Sequence, residues 1–244
     1  MKRLSSAVVT IAFVDIRDNV VAVRERIVAA CKRAERSSGD VQLMGVSKTQ
    51  PTSAIRDAYE AGVTVFGENR VQEFAGKLGE IAELRIEWHL IGPLQSNKAA
   101  KAVELFEWVD TVDSLKLAER LNRLAGEQGK TLDVLVEINV GAEEQKAGLH
   151  PQSQELRDLL AGAERLEALQ IRGLMCIPPM TDNPEESRPY FRKLRALRDE
   201  LAAAKFPRVE LDELSMGMTH DFEVAVEEGS TCVRVGTGIF GART

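Results

Sequence analysis

A lysine, an arginine and two glycine-bearing turns are the residues of this chain whose types and spacing can do chemistry. Lys48 falls in the stretch Val41-Gln42-Leu43-Met44-Gly45-Val46-Ser47-Lys48-Thr49-Gln50-Pro51, where every residue from 41 to 46 except Gln42 is apolar or small. The length of that run suits a buried strand better than a helix, and Pro51 stands where a helix can begin. Lys48 is therefore expected at the carboxyl end of a buried strand. Partial desolvation there lowers an amine's pKa and frees it to attack carbonyl carbons. A solvated lysine at a strand end is the plain alternative. Far downstream, Ser215-Met216-Gly217 and Gly236-Thr237-Gly238 each end an apolar run. Small residues of this kind let backbone N–H groups approach a phosphate closely, although two simple glycine turns would look the same. Arg234 lies two residues before Gly236, so the two share one side of a strand. Its plain alternative is an internal ion pair with a strand carboxylate.

Those residues can act together only if the fold brings them to one place. Short apolar runs recur at 41–46, 63–66, 88–92, 108–112, 132–140, 169–177, 211–216 and 231–235, with helical patterns between them. Residues 15–36 carry apolar side chains at helical spacing, including Val20, Val23 and Ile27, ahead of the first strand. Alternation of buried strands with helices argues for a parallel sheet, and eight such units in about 200 residues argue for a closed (β/α)8 barrel. An open doubly wound sheet is the competing fold, but no G-x-G-x-x-G follows the first strand. In a barrel, strands one and eight are neighbours, and ligands sit at the carboxyl ends of the strands. The helix before strand one is expected to cover the opposite, amino-terminal mouth. Residues 1–14 read as a disordered or helical extension, and 15–244 as one barrel domain.

Composition narrows the classes of partner. The net charge is −6 and no basic block appears, which argues against nucleic acid. No apolar run approaches the ~20 residues of a membrane span. Cys31, Cys176 and Cys232 are far apart and lack metal-ligand spacing, so neither a disulfide framework nor a metal site is expected. That usage fits a cytoplasmic protein. The apolar stretch from Ala7 to Val14 follows Lys2 and Arg3 but has no small-residue cleavage site, so it is not read as a signal peptide.

A reactive amine on strand one facing a phosphate cradle on strands seven and eight suits pyridoxal phosphate, whose aldehyde forms a Schiff base with lysine. An arginine opposite the pyridine nitrogen would keep that nitrogen unprotonated. The motifs GVSKTQP (45–51), FGENRVQE (66–73), WHLIGPLQSNK (88–98), RGLMCIPP (172–179), LSMGMTHDFEVAVEEGST (214–231) and VRVGTGIFGAR (233–243) span most of the chain after residue 14. In them the sequence closely resembles the YggS/PROSC family of pyridoxal phosphate homeostasis proteins. The resemblance implies a barrel like the amino-terminal domain of alanine racemase, with Lys48 as the Schiff-base lysine. It also implies Ser215, Met216, Gly236 and Thr237 as phosphate contacts, Arg234 as the partner of the pyridine nitrogen and Asn69 beside the ring. Arg70 stands where many members have tyrosine, and Thr219-His220 departs from the more usual pair.

Three functions are open at this stage. A carrier would bind pyridoxal phosphate, regulate its availability and pass it to apo-enzymes that depend on it, working as a monomer without strong catalysis. A racemase would use the same cofactor but needs an acid/base group on each face of the substrate α-carbon. In alanine racemases one of these is a tyrosine from an additional β-domain, and that domain is not expected after residue 244. Here only Tyr59 and Tyr190 exist, both in helical stretches. An aldolase-type barrel would use the lysine without a cofactor and hold a sugar phosphate in the cradle. Of the remaining residues with chemical potential, His89 and Cys176 read as core residues, and Lys146 faces either the site or solvent.

Overall fold

The computed structural model describes residues 15–143 and 146–242; the extension expected over 1–14 lies outside the described residues. Eight parallel strands close into a barrel in sequence order: β1 (Gln42–Val46), β2 (Val65–Glu68), β3 (Glu87–Leu90), β4 (Trp108–Val112), β5 (Leu132–Glu137), β6 (Leu169–Met175), β7 (Val209–Met218) and β8 (Cys232–Val235). β1 pairs with β8 and shuts the ring, with Met44 opposite Arg234.

The helices are α1 (Ile16–Arg33), α2 (Thr52–Glu60), α3 (Val71–Ile81), α4 (Ala99–Leu105), α5 (Leu115–Glu127), α6 (Gln154–Gly162), α7 (Arg188–Ala204), α8 (Phe222–Glu227) and α9 (Thr237–Phe240). Their starts follow local chemistry. Asp15 accepts from the N–H groups of Arg17 and Asp18 at the head of α1, and Ser114 and Ser153 cap α5 and α6 in the same way.

The placement expected for α1 is corrected. It packs on the outside against α8, α9 and α2 rather than across the amino-terminal mouth. The physical reason lies at β8. The helix that follows it has only four residues, which leaves the eighth position of the outer ring open. α1 fills that position, and Asn19 ties it to α9 by donating to the Ile239 carbonyl at 2.9 Å.

Strand parity separates two environments. Residues 44 and 46 face the barrel interior, where Met44, Val65, Ile91 and Cys232 form a small apolar cluster with Val46 against it. Leu43, Phe66, Leu214, Met216, Val233 and Val235 face outward into the main core beneath the helices. In that outer layer Phe74 of α3 lies 4.4 Å from Trp88 and 4.8 Å from Phe106, centroid to centroid. Each such aromatic pair adds about 0.5–1.5 kcal/mol beyond area burial, so α3 is firmly seated on β3 and α4.

Candidate functional site

Parity carries Lys48 into the carboxyl-terminal mouth, two residues beyond inward-facing Val46. It lines a cavity of about 340 Å³ together with Asn69, Arg234, Gly236 and Thr237. Five of the seven residues singled out in the sequence thus share one cavity, drawn from the ends of β1, β2 and β8. The remaining two, Ser215 and Met216, do not line it. Gly92 fixes the Asn69 turn by close approach: a Cβ at residue 92 would sit 2.3 Å from the Asn69 carbonyl oxygen. The Asn69 Oδ1 atom is buried there without a hydrogen-bond partner among the described residues.

Arg234 is buried, with 3% exposure. Its Nη1 donates to Ser215 Oγ at 2.6 Å and its Nη2 to the Cys176 carbonyl at 2.7 Å. Neither acceptor is a carboxylate, so the internal ion pair considered for Arg234 does not form among the described residues. The guanidinium keeps further N–H donors and sits on the cavity wall. Ser215 is therefore the residue that holds Arg234 in place. Met216 is fully buried in the outer core.

The difference from the sequence reading has a definite cause. Ser215 pairs with Cys232, yet Met218 pairs with Arg234, so β7 carries one residue more than β8 between these points. Gly217 sits within this bulge at φ +93°, and a Cβ on it would lie 2.5 Å from Ala225 Cβ. The strand runs on to Met218 instead of stopping at 216, and α8 starts at Phe222 rather than at Thr219. As a result Met218, Thr219 and His220 reach the cavity, positions the strand count did not select. Thr219 Oγ1 accepts from the Gly238 N–H at 3.2 Å, which ties the seventh turn to the eighth, and Asp221 Oδ1 accepts from the Met218 N–H at 2.7 Å, which closes the seventh turn on itself.

Gly236 differs from its neighbours. Gly217 is required by its φ, and a Cβ on Gly238 would meet Val235 at 2.8 Å. Gly236 has φ −103°, and a Cβ there would meet nothing nearer than Val46 at 3.6 Å. Nothing in the protein itself excludes a side chain at 236. What a side chain would fill is the cavity, beside the first-turn N–H groups of α9, which have no intrahelical acceptor.

Other residues fall outside this cavity. His89 is the core histidine the sequence led us to expect: Nδ1 lies 2.9 Å from Asp110 Oδ1 and Nε2 3.3 Å from Glu87 Oε1, and the ring stacks on Trp108. Burial works against its protonation, but the Asp110 and Glu87 carboxylates together outweigh burial and lift the imidazole to about 9. Cys176 is fully buried, and burial pushes its thiol up to about 12, as an inert core cysteine requires. Lys146 pairs with Glu143 at 2.7 Å. Glu137, which the sequence reading passed over, is buried at the end of β5. Burial and then Asp113 push its carboxyl up to about 7, with Arg234 pulling the other way. A larger cavity, about 470 Å³, opens beyond Asn69 between Arg70 and Lys98. It contains none of the β1, β7 or β8 residues, so its size does not make it the chemical centre. No group of metal-ligating side chains and no membrane-spanning helix occurs among the described residues.

The geometry can now be set beside known proteins. Residues 19–244 match the alanine racemase N-terminal domain family. A pyridoxal phosphate homeostasis protein of Aquifex aeolicus is 47% identical over 221 residues, which is 91% of this chain and 95% of that protein. PipY of Synechococcus elongatus, solved with PLP bound, is 42% identical with a TM-score of 0.81, covering 93% of this chain and 100% of that one. Alanine racemase of Clostridium difficile shares the fold alone: 18% identity, a TM-score of 0.67, and coverage of 93% of this chain but 57% of the racemase. The chain belongs to the pyridoxal phosphate homeostasis protein family, built on the barrel of the alanine racemase amino-terminal domain.

Proposed function

We propose that this protein holds pyridoxal 5'-phosphate on Lys48 and buffers or supplies it to apo-enzymes that need it, as a monomer and without strong catalysis of its own. The observation that carries this reading is the meeting of Lys48, Arg234 and the Gly236–Thr237 turn on one cavity of ligand size. The residues present fit the group. Gly236 leaves a cradle that a Cβ would fill, Asn69 has an orphaned acceptor, and Arg234 presents a fixed cation. When bound, pyridoxal phosphate supplies an aldehyde that condenses with a lysine amine, losing water, and a pyridine ring that draws electrons.

The chain's own residues then divide the work. Lys48 provides the amine. The amides at Gly236 and Thr237 receive the phosphate, with Thr219 bracing the turn. Ser215 and the Cys176 carbonyl hold the Arg234 fork, and Arg234 stays protonated at any working pH, which keeps the ring nitrogen neutral and the ring a weak electron sink. Asn69 borders the ring. Met216 contributes by packing the back of β7. The mouth opens past Ile177 and Met180, 41% and 95% exposed, so a bound cofactor can leave.

Racemisation needs a second acid/base group. Tyr59 and Tyr190 stand on α2 and α7 against the outer core, away from the cavity. Losing a tyrosine in that role typically costs 10²–10⁴-fold in rate, and the imidazole of His220, which lines the cavity, is the acid/base candidate that a turnover assay must test. The test is to load the protein with pyridoxal phosphate, assay common amino acids for racemisation, transamination and decarboxylation, and then mix the loaded protein with a cofactor-dependent apo-enzyme. The expected result is negligible turnover together with restored activity of the apo-enzyme. Turnover of about 1–10³ per second would favour the racemase reading instead.

A further inference from the structure

The peptide groups on either side of Lys48 are gripped from beneath by one ammonium and two carboxylates. Ser47 Oγ donates to Glu68 Oε1 at 2.8 Å, and Lys77 Nζ donates to the same oxygen at 3.0 Å. Lys77 Nζ also donates to Glu73 Oε1 at 2.8 Å and to the Ser47 carbonyl at 3.1 Å. Glu73 Oε1 in turn accepts from the Thr49 N–H at 2.5 Å. A lysine ammonium has three protons, and here each has a partner. Glu68 is fully buried. Burial pushes its carboxyl up while Lys77 pulls it down.

An ion pair that merely stapled α3 to the end of β2 would need Glu68 and Lys77 alone. Two features exceed that. The acceptor and donor engaged are the carbonyl of residue 47 and the N–H of residue 49, the groups that bracket Lys48. In addition, Thr49 stands at φ +63°, a conformation that β-branched residues rarely adopt, and its N–H is the one Glu73 holds. Glu73 and Lys77 share α3, which the Phe74 aromatic contacts seat rigidly.

We propose that Lys77, together with Glu68 and Glu73, is a positioning group that sets the direction in which Lys48 enters the cofactor cavity. The inference rests on the reading that Lys48 carries the cofactor. Misplacing a reacting atom by about 1 Å can cost up to about 10²-fold. Loss of the grip should therefore slow adduct formation on Lys48 while leaving phosphate contacts on the far wall in place.

The test uses the full chain titrated with pyridoxal phosphate, trapped with borohydride at fixed times and mapped by peptide mass. Wild type comes first: no trapped Lys48 would sink the carrier reading and this inference together, before any variant is made. Given trapping in wild type, Lys77→Met should slow it about ten- to a hundredfold, with non-covalent cofactor binding by equilibrium dialysis changed far less. Thr49→Gly in the Lys77→Met background should recover part of the rate, because glycine adopts a positive φ freely; a purely structural ion pair would not be rescued there. A folded Lys77→Met protein that traps at the wild-type rate overturns the positioning role alone. If Lys77→Met does not fold, Glu73→Gln keeps the Lys77–Glu68 pair and weakens the Glu73 side of the grip, on the Lys77 ammonium and on the Thr49 N–H. Several-fold slower trapping is then expected, and an unchanged rate overturns the proposal.

Discussion

Two buried polar pairs sit inside the same barrel, and only one of them serves the mouth. His89 and Asp110 consume each other: both ring nitrogens have carboxylate partners, Nδ1 the buried Asp110 and Nε2 the half-exposed Glu87 at the start of β3. Arg234 and Ser215, nearer the carboxyl end, leave part of the arginine fork facing the cavity. Both pairs are buried and both involve a cation. What separates a structural group from the proposed binding group here is where the unused donors point, which neither burial nor residue type reveals.

The comparison can be tested by removing each pair in turn. The largest effect on stability is expected from His89→Ala, which leaves Asp110 as a fully buried carboxylate that already has one oxygen unpartnered. Breaking a buried pair from one side typically costs about 3–5 kcal/mol, read by urea unfolding, while cofactor trapping on Lys48 should be unchanged in the folded fraction. The same pair predicts a pH dependence. The imidazole titrates near 6.5 when unfolded and at about 9 when folded. A folded pKa raised in this way gives stability that is complete below about 6.5 and fades as pH rises through 9. The wild-type melting temperature should fall across that window more steeply than that of His89→Ala; parallel curves would contradict the assignment.

Arg234→Gln should behave in the opposite way. It removes the charge and disturbs two buried hydrogen bonds, at about 1–3 kcal/mol, yet it should clearly change the absorbance and affinity of bound cofactor. An unaltered spectrum would break the distinction between the pairs. The smallest effect is expected from Met216→Leu, an outward-facing swap of similar volume that should cost less than about 1.5 kcal/mol and leave the cofactor spectrum alone. A changed spectrum would mean that the β7 bulge, and not only Ser215, shapes the site.

Much of this was legible in the sequence, and the exceptions have physical causes. The barrel could be read because eight buried runs alternate with helical patterns, and Lys48 because it ends the first of them. Arg234 and Gly236 followed from a period of two on an unbroken strand. Met216 was given by the family resemblance and not by strand parity, and its side chain packs into the outer core; Met218 escaped the count because the Gly217 bulge adds one residue and carries it to the cavity. α1 was misplaced because nothing local tells a helix that the eighth ring position is vacant; that depends on α9 stopping after four residues. Lys77 was invisible because a lysine on an amphipathic helix reads as solvated, and the Ser47 carbonyl it engages lies far back in the chain.

The central claim is that Lys48 is the amine that holds the cofactor, and one measurement addresses it directly. The purified protein is loaded with pyridoxal phosphate, reduced with borohydride, digested and mapped by mass, with Lys48→Ala treated in parallel. The account predicts a single phosphopyridoxyl modification on the peptide containing Lys48 and none in the folded Lys48→Ala variant. A modification centred on another lysine, or an undiminished adduct in the variant, would contradict it.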